Sequence, residues 1–138
     1  MSATTVVVDH QTFELVSGLE IHVQLNTNSK IFSADSATFG AAANANVSTV
    51  SLGLPGALPK LNKEVIEKAM RIGLALNCDI NQYNFFDRKN YFYADSPKGY
   101  QITQDNSPIC KNGFINVQLP DGTEKRIGIN RIHLEECG

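Results

Sequence analysis

From Thr12 to Leu25 the chain alternates between apolar and polar residues. Leu19, Ile21, Val23 and Leu25 fall on one face, and Glu20, His22 and Gln24 on the other. A period of two predicts a half-buried β-strand. Before it, Met1 to Gln11 reads as a flexible arm (1–11) in which Val6-Val7-Val8 can add an edge strand. After it, Asn26 to Ser51 is rich in Ser, Ala, Asn, Thr and Gly and has no period, which predicts a long irregular loop. Loops of that length in compact domains are usually functional or disordered. The prolines and glycines of Gly53-Leu54-Pro55-Gly56-Ala57-Leu58-Pro59 then fix turns.

The period changes at Asn62. Val65, Ile66, Ala69, Met70, Ile72, Gly73 and Leu76 form an apolar stripe at helical spacing. Asn62 suits the N-cap and Asn77 the left-handed position that ends a helix. Glu64 with Lys68, and Glu67 with Arg71, are spaced to pair along that helix. The remainder reads as strands over Asn90–Tyr93, Tyr100–Gln104, Phe114–Leu119 and Lys125–Glu135, the last two joined by the turn Pro120-Asp121-Gly122-Thr123. The predicted class is α+β, a mostly antiparallel sheet with few helices.

Composition narrows the functional classes. The 138 residues suffice for one domain with a core, and a hydrophobic fraction of 42% with 19% charged residues describes an ordinary globular chain. A net charge of −2 gives no global basic field, so contact with nucleic acid requires a local patch. No apolar run is long enough to span a bilayer and the N-terminus lacks the basic segment of a signal peptide, so the expected setting is cytoplasmic. Cys78, Cys110 and Cys137 lie far apart, an odd count without metal-ligand spacing, and are expected to be reduced and partly buried.

Candidate chemistry lies in three places. Phe86 to Gln101 holds Arg88, Lys89 and Lys98 together with three of the chain's four tyrosines, Tyr91, Tyr93 and Tyr100. The cationic groups can neutralise phosphate oxygens and the rings can stack on bases, or the stretch can be a basic strand edge that discourages pairing. Glu20 and His22, two apart on a strand, can share a cation or exchange a proton, or face solvent. Strand parity puts Arg131, His133 and Glu135 on one face and Glu136 on the other, where the group is either solvated or serves a buried cation. No phosphate-binding glycine loop, nucleophile elbow or zinc-protease motif occurs.

Several blocks resemble the B subunit of the aspartyl/glutamyl-tRNA(Asn/Gln) amidotransferase family. They are Gly18-Leu19-Glu20-Ile21-His22-Val23-Gln24-Leu25, the run Leu52 to Lys63, Phe86-Asp87-Arg88-Lys89-Asn90-Tyr91-Phe92-Tyr93, Pro97-Lys98-Gly99-Tyr100-Gln101-Ile102 and the run Ile127 to Glu136. They occur in family order from about Phe13 to Glu136. The resemblance implies a polypeptide that uses ATP and Mg²⁺ to phosphorylate the side-chain carboxylate of misacylated Glu-tRNA(Gln) or Asp-tRNA(Asn). The product is then amidated with ammonia channelled from the glutaminase, or A, subunit, while a small C subunit braces the pair. It implies a glutamine-synthetase-like cradle, with residues 12–138 as the N-terminal portion of the catalytic domain. On this reading Glu20, His22 and Glu136 are metal-site residues, Lys89 and Lys98 catalytic lysines near the phosphate site and channel mouth, and Arg88 and Tyr91 nucleotide-binding. An imidazole such as His22 also suits Mn²⁺.

The chain departs from that family in three ways. Many members place Cys-x-Cys and Cys-x-x-Cys in the loop after the first strand, where this chain has Ser33, Asp35, Ser48 and Ser51. Hydroxyls are poor zinc ligands, so no structural zinc is expected and hydrogen bonds within the loop must hold it instead. The family continues past Glu136 with Asp-Ala-Gly-Lys, whereas Cys137 and Gly138 follow here. Family members are also several times longer, so the chain alone is not expected to catalyse the reaction. The competing reading is a non-catalytic subunit-contact or RNA-binding module.

Overall fold

A computed structural model of the chain describes residues 4–136. Its elements are β1 (Thr5–Val8), β2 (Gln11–Glu14), α1 (Lys63–Ala75), β3 (Asp79–Ile80), β4 (Asp87–Asn90), β5 (Tyr100–Thr103), β6 (Cys110–Gln118) and β7 (Glu124–Ile132). All pairings are antiparallel: the hairpin β1–β2, the sheet β3-β6-β7 and the pair β4–β5. This agrees with the expected α+β class of mostly antiparallel sheet and one helix.

The helix forms where its stripe predicts. The Asn62 side chain accepts from Glu64 N–H at 2.9 Å, satisfying one of the free amides of the first turn. At the other end Asn77 adopts φ 55°, with Asn77 N–H donating to Leu74 O and Cys78 N–H to Gly73 O. Those two bonds turn the chain directly into β3. Lys68 pairs with Glu64 at 2.8 Å and also donates to Asn26 O. The expected Glu67–Arg71 pair is replaced by Glu67 with Lys63 at 3.6 Å, an equally spaced partner on the preceding turn.

The core is small. Val65 and Ala69 of α1 pack with Cys78, Ile109, Cys110 and Leu134, flanked by half-buried Leu25, Ile66, Phe86 and Ile129. Gly113 of β6 lies so close to the helix end that an added Cβ would stand 2.2 Å from Cys78 Sγ and 2.8 Å from Leu76 O. Phe32 closes the loop side of this core, edge-on to Phe86 at 5.2 Å. Burial raises both thiols, Cys110 to about 11, with Asp79 adding to the effect at Cys78 and Cys78 to that at Cys110. Both are reduced and buried, as expected; Cys137 lies outside the described residues.

The strand expected over Thr12–Leu25 is the main correction. Only Gln11–Glu14 is strand, paired with β1 through the two-residue turn Asp9-His10, both at positive φ. Such a turn matches the twist of a tight hairpin. Leu15 N–H still donates to Thr4 O at 2.9 Å, but from Val16 the chain runs on without a ladder, and Leu19 and Ile21 are 93% and 82% exposed. Alternation records which face is meant for burial, but a strand also needs a partner for its amides. A second shift is three residues long: the strand expected at Asn90–Tyr93 occupies Asp87–Asn90. The ladder stops at the pair Asn90–Tyr100 because Ser96 N–H turns back to Tyr93 O and Gly99 N–H to Ser96 O.

The long loop is irregular, as its composition predicts, and it is fastened internally. Asp35 Oδ2 accepts from Ser33 Oγ at 3.0 Å, Ser48 N–H at 3.0 Å and Ser51 Oγ at 2.6 Å. Burial raises the Asp35 carboxyl, but its hydrogen bonds from Ser51, Ser48 and Ser33 outweigh that and hold it below the usual carboxylate range. Ser33, Asp35, Ser48 and Ser51 therefore do meet, around a carboxylate.

Candidate active-site cleft

Where β4, the end of β5 and the segment after β7 come together, an open cleft of about 580 Å³ is lined by Glu20, Asp87, Arg88, Lys89, Asp105, Arg131, His133 and Glu135. The segment after β7 is held alongside β5. Glu136 N–H donates to Ile102 O at 3.2 Å, and Gln101 Nε2 donates to Glu136 O at 3.0 Å. Gln104, 1% exposed, anchors the seam: its Oε1 accepts from Ile109 N–H and Leu134 N–H, both at 3.1 Å, and its Nε2 donates to Asn84 Oδ1. A buried amide with both ends satisfied fixes the two segments in register.

That register sends consecutive side chains to opposite sides. Glu135 reaches Lys89 across the cleft, Nζ to Oε1 3.0 Å. Glu136 turns inward, where its Oε2 lies 2.6 Å from Lys98 Nζ and its Oε1 accepts from Ile102 N–H at 2.6 Å. Both inner side chains are largely buried, at 9% and 14% exposure. Gly53, at φ +64°, covers this pair so closely that an added Cβ would come within 2.6 Å of Lys98 Cβ. Only a residue without a side chain allows the Pro/Gly segment to seal the lysine there.

The sequence candidates thus divide. Lys89 and Arg88 line the cleft, with the Arg88 guanidinium also 4.4 Å above the Tyr100 ring. Glu20 reaches the cleft and lies 3.6 Å from His22, both side chains being mostly exposed. Lys98 is instead sealed against Glu136, and Tyr91 stacks on Tyr93 at 4.7 Å away from the cleft lining. Glu20, His22 and Glu136 do not converge, and among the described residues no group of three or more His, Cys, Asp or Glu side chains is placed to hold a metal ion. Both Glu136 oxygens are engaged by the chain itself. Glu136 is thus occupied by contacts within the chain, while the Glu20 carboxylate is open to the cleft.

Arg131 and His133 line the cleft as well, although the sequence pattern by itself favours a solvated strand face for them. Parity places them on one face with Glu135. What parity lacks is the opposite wall, built by β4 and the turn at Asp105. A second, smaller hollow of about 280 Å³ lies on the other side of Arg88, between Leu58, Phe86, Tyr100 and Ile102. Within the described residues no helix is long and apolar enough to cross a membrane.

Residues 15–137 match the family model described as the GatB/GatE catalytic domain. The chain belongs to that family. It is 56% identical over 124 residues to the B subunit of the aspartyl/glutamyl-tRNA(Asn/Gln) amidotransferase of Clostridium tetani (strain Massachusetts / E88). It is likewise 56% identical over 124 residues to the B subunit of the same name from Clostridium botulinum (strain Loch Maree / Type A3). Each match covers 90% of this chain and 26% of the relative, so the chain spans about a quarter of the length of these proteins.

Proposed function

We propose that this chain is part of a tRNA-dependent amidotransferase that converts misacylated Glu-tRNA(Gln) or Asp-tRNA(Asn) to the amide, in a cytoplasmic complex with a glutaminase and a small bracing protein, the A and C subunits. The observation that carries the reading is the cleft of Glu20, Arg88, Lys89 and His133 inside the segment shared with the GatB/GatE catalytic domain.

The chemistry begins with a poor electrophile. A side-chain carboxylate lacks a leaving group, so one of its oxygens attacks the γ-phosphorus of ATP and ADP departs. Ammonia, kept unprotonated in a channel, then attacks the acyl carbon; inorganic phosphate leaves and a proton passes to solvent. The protein's share is positioning and charge. Arg88 and Lys89 supply positive charge on the cleft wall, Lys89 being steadied by Glu135. Four carboxylates, Glu20, Asp87, Asp105 and Glu135, face three cationic side chains there. A polyphosphate therefore enters best as its Mg²⁺ complex, for which one or two protein carboxylates suffice. When bound, the ion would offset charge on the transferred phosphoryl group, and in this reading the cleft-facing Glu20 carboxylate would help hold it.

The test is E20Q in the full-length protein within its complex. Amidation and ATP-dependent phosphorylation of Glu-tRNA(Gln) are expected to fall at least a hundredfold, while glutamine hydrolysis persists. Amidation at the unmodified rate by E20Q would overturn the reading.

A further inference from the structure

We propose that Arg131 is the polyphosphate-gripping residue of the cleft, held in place for that task by Asp105. The inference rests on the nucleotide reading above and adds the residue that would set affinity for it.

The three cationic side chains of the cleft are not equivalent. Lys89 is engaged by Glu135 at 3.0 Å, and the Arg88 guanidinium lies over Tyr100. Arg131 differs: its Nη1 donates to both Asp105 O and Asp105 Oδ1, each at 3.0 Å, while Nη2 and Nε have no hydrogen-bond partner among the described residues. The free edge belongs to a side chain that is 44% exposed and lines the cleft. A planar fork with one nitrogen tethered and two donors open is the geometry that receives two oxygens of a phosphate.

The tether is itself braced. Asp87 Oδ2 accepts from the N–H groups of Asp105 at 2.9 Å and Asn106 at 3.3 Å. The neighbouring Gln104 is pinned to Ile109 and Leu134. The turn bearing Asp105 is therefore fixed from both sides, and ordering the guanidinium costs little on binding. Asp87 fixes the turn and Asp105 holds Nη1 of the arginine, so the two carboxylates act on its orientation.

The experiment is calorimetric titration of the full-length protein in its complex with the Mg²⁺ complex of a non-hydrolysable ATP analogue. R131Q is expected to weaken binding about tenfold or more. R131K, which keeps charge but not the fork, is expected to fall between R131Q and the unmodified protein. Steady-state assays should show the same order in KM for ATP, with KM for Glu-tRNA(Gln) unchanged. Tight analogue binding by the unmodified protein and by R131Q alike would overturn this inference while leaving the nucleotide reading standing. A KM increase confined to the tRNA would also overturn it, assigning Arg131 to the tRNA's own oxyanions. No analogue binding by the unmodified complex would overturn the nucleotide reading itself.

Discussion

Lys98 Nζ lies 2.6 Å from Glu136 Oε2, in a pocket that leaves the two side chains 9% and 14% exposed. A pair this dry is costly to break from one side, because the remaining charge loses its counter-ion in a poorly solvated pocket. K98M is expected to destabilise the seam between β5 and the segment after β7 by about 3 kcal/mol. Hydrogen exchange at Ile102 N–H, which donates to Glu136 Oε1, should accelerate roughly a hundredfold. The double variant K98M/E136Q removes both charges and should recover part of that loss. Additive losses in the cycle would refute the pair's coupling.

Asp35 gathers Ser33, Ser48 and Ser51 into one hydrogen-bonded knot of the long loop. Its carboxyl is held below its ordinary value of 3.8. A depressed carboxyl stabilises the loop above its unfolded value, and that contribution disappears as pH falls through the lower folded value. Cleavage of residues 33–51 by an acid protease should therefore rise steeply below about pH 4. In D35N the loop should be cut readily at neutral pH too, with a flatter pH profile. Metal analysis of the purified protein should find no stoichiometric zinc.

Burial raises the Cys110 thiol to about 11 and also lifts Cys78. A raised thiol is protonated in the fold and ionises on unfolding, so stability is intact below about pH 9 and declines as pH rises towards 11. Alkylation of Cys78 and Cys110 at pH 8 should be negligible in native protein and rapid in denaturant, as read by mass spectrometry of tryptic peptides. G113A drives a methyl into Cys78 Sγ and the Leu76 carbonyl. It should cost roughly 1–3 kcal/mol and speed alkylation in the native state. Native-like labelling rates in G113A would show that the helix end can relax.

Leu19, Ile21 and Val23 are 93%, 82% and 62% exposed on a backbone without ladder bonds. Three neighbouring apolar side chains of this kind attract other surfaces. The 138-residue chain by itself should bind a hydrophobic dye and associate above micromolar concentration. L19K/I21K should abolish most of the dye signal without shifting the helix content seen by circular dichroism. Unchanged dye binding would place the exposed apolar surface elsewhere.

Residues whose partners are close in sequence were the most legible. Asn62 and Asn77 mark the two ends of α1 because caps act on amides and carbonyls within one turn. The Pro120–Thr123 turn is equally local, with Thr123 N–H donating to Asp121 Oδ1 at 2.9 Å. The site was legible only in halves. Parity placed Arg131, His133 and Glu135 on one face, and the basic aromatic stretch flagged Arg88 and Lys89. Their meeting in one cleft depends on Gln104 and Asp87, which look like ordinary polar residues in the chain.

By itself, the sequence determined the helix, the antiparallel hairpin of β6 and β7, the irregular loop and the resemblance to a family of amidotransferase subunits. Each rests on short-range patterning or on the order of motifs. Tertiary structure decided what pattern cannot encode: that Thr12–Leu25 extends without a ladder beyond Leu15, that Ser33, Asp35, Ser48 and Ser51 close on one another, and that Lys98 faces Glu136 instead of the cleft. In each case the outcome turns on whether a distant group arrives to satisfy a hydrogen bond or neutralise a charge, and alternation along the chain says nothing about that arrival.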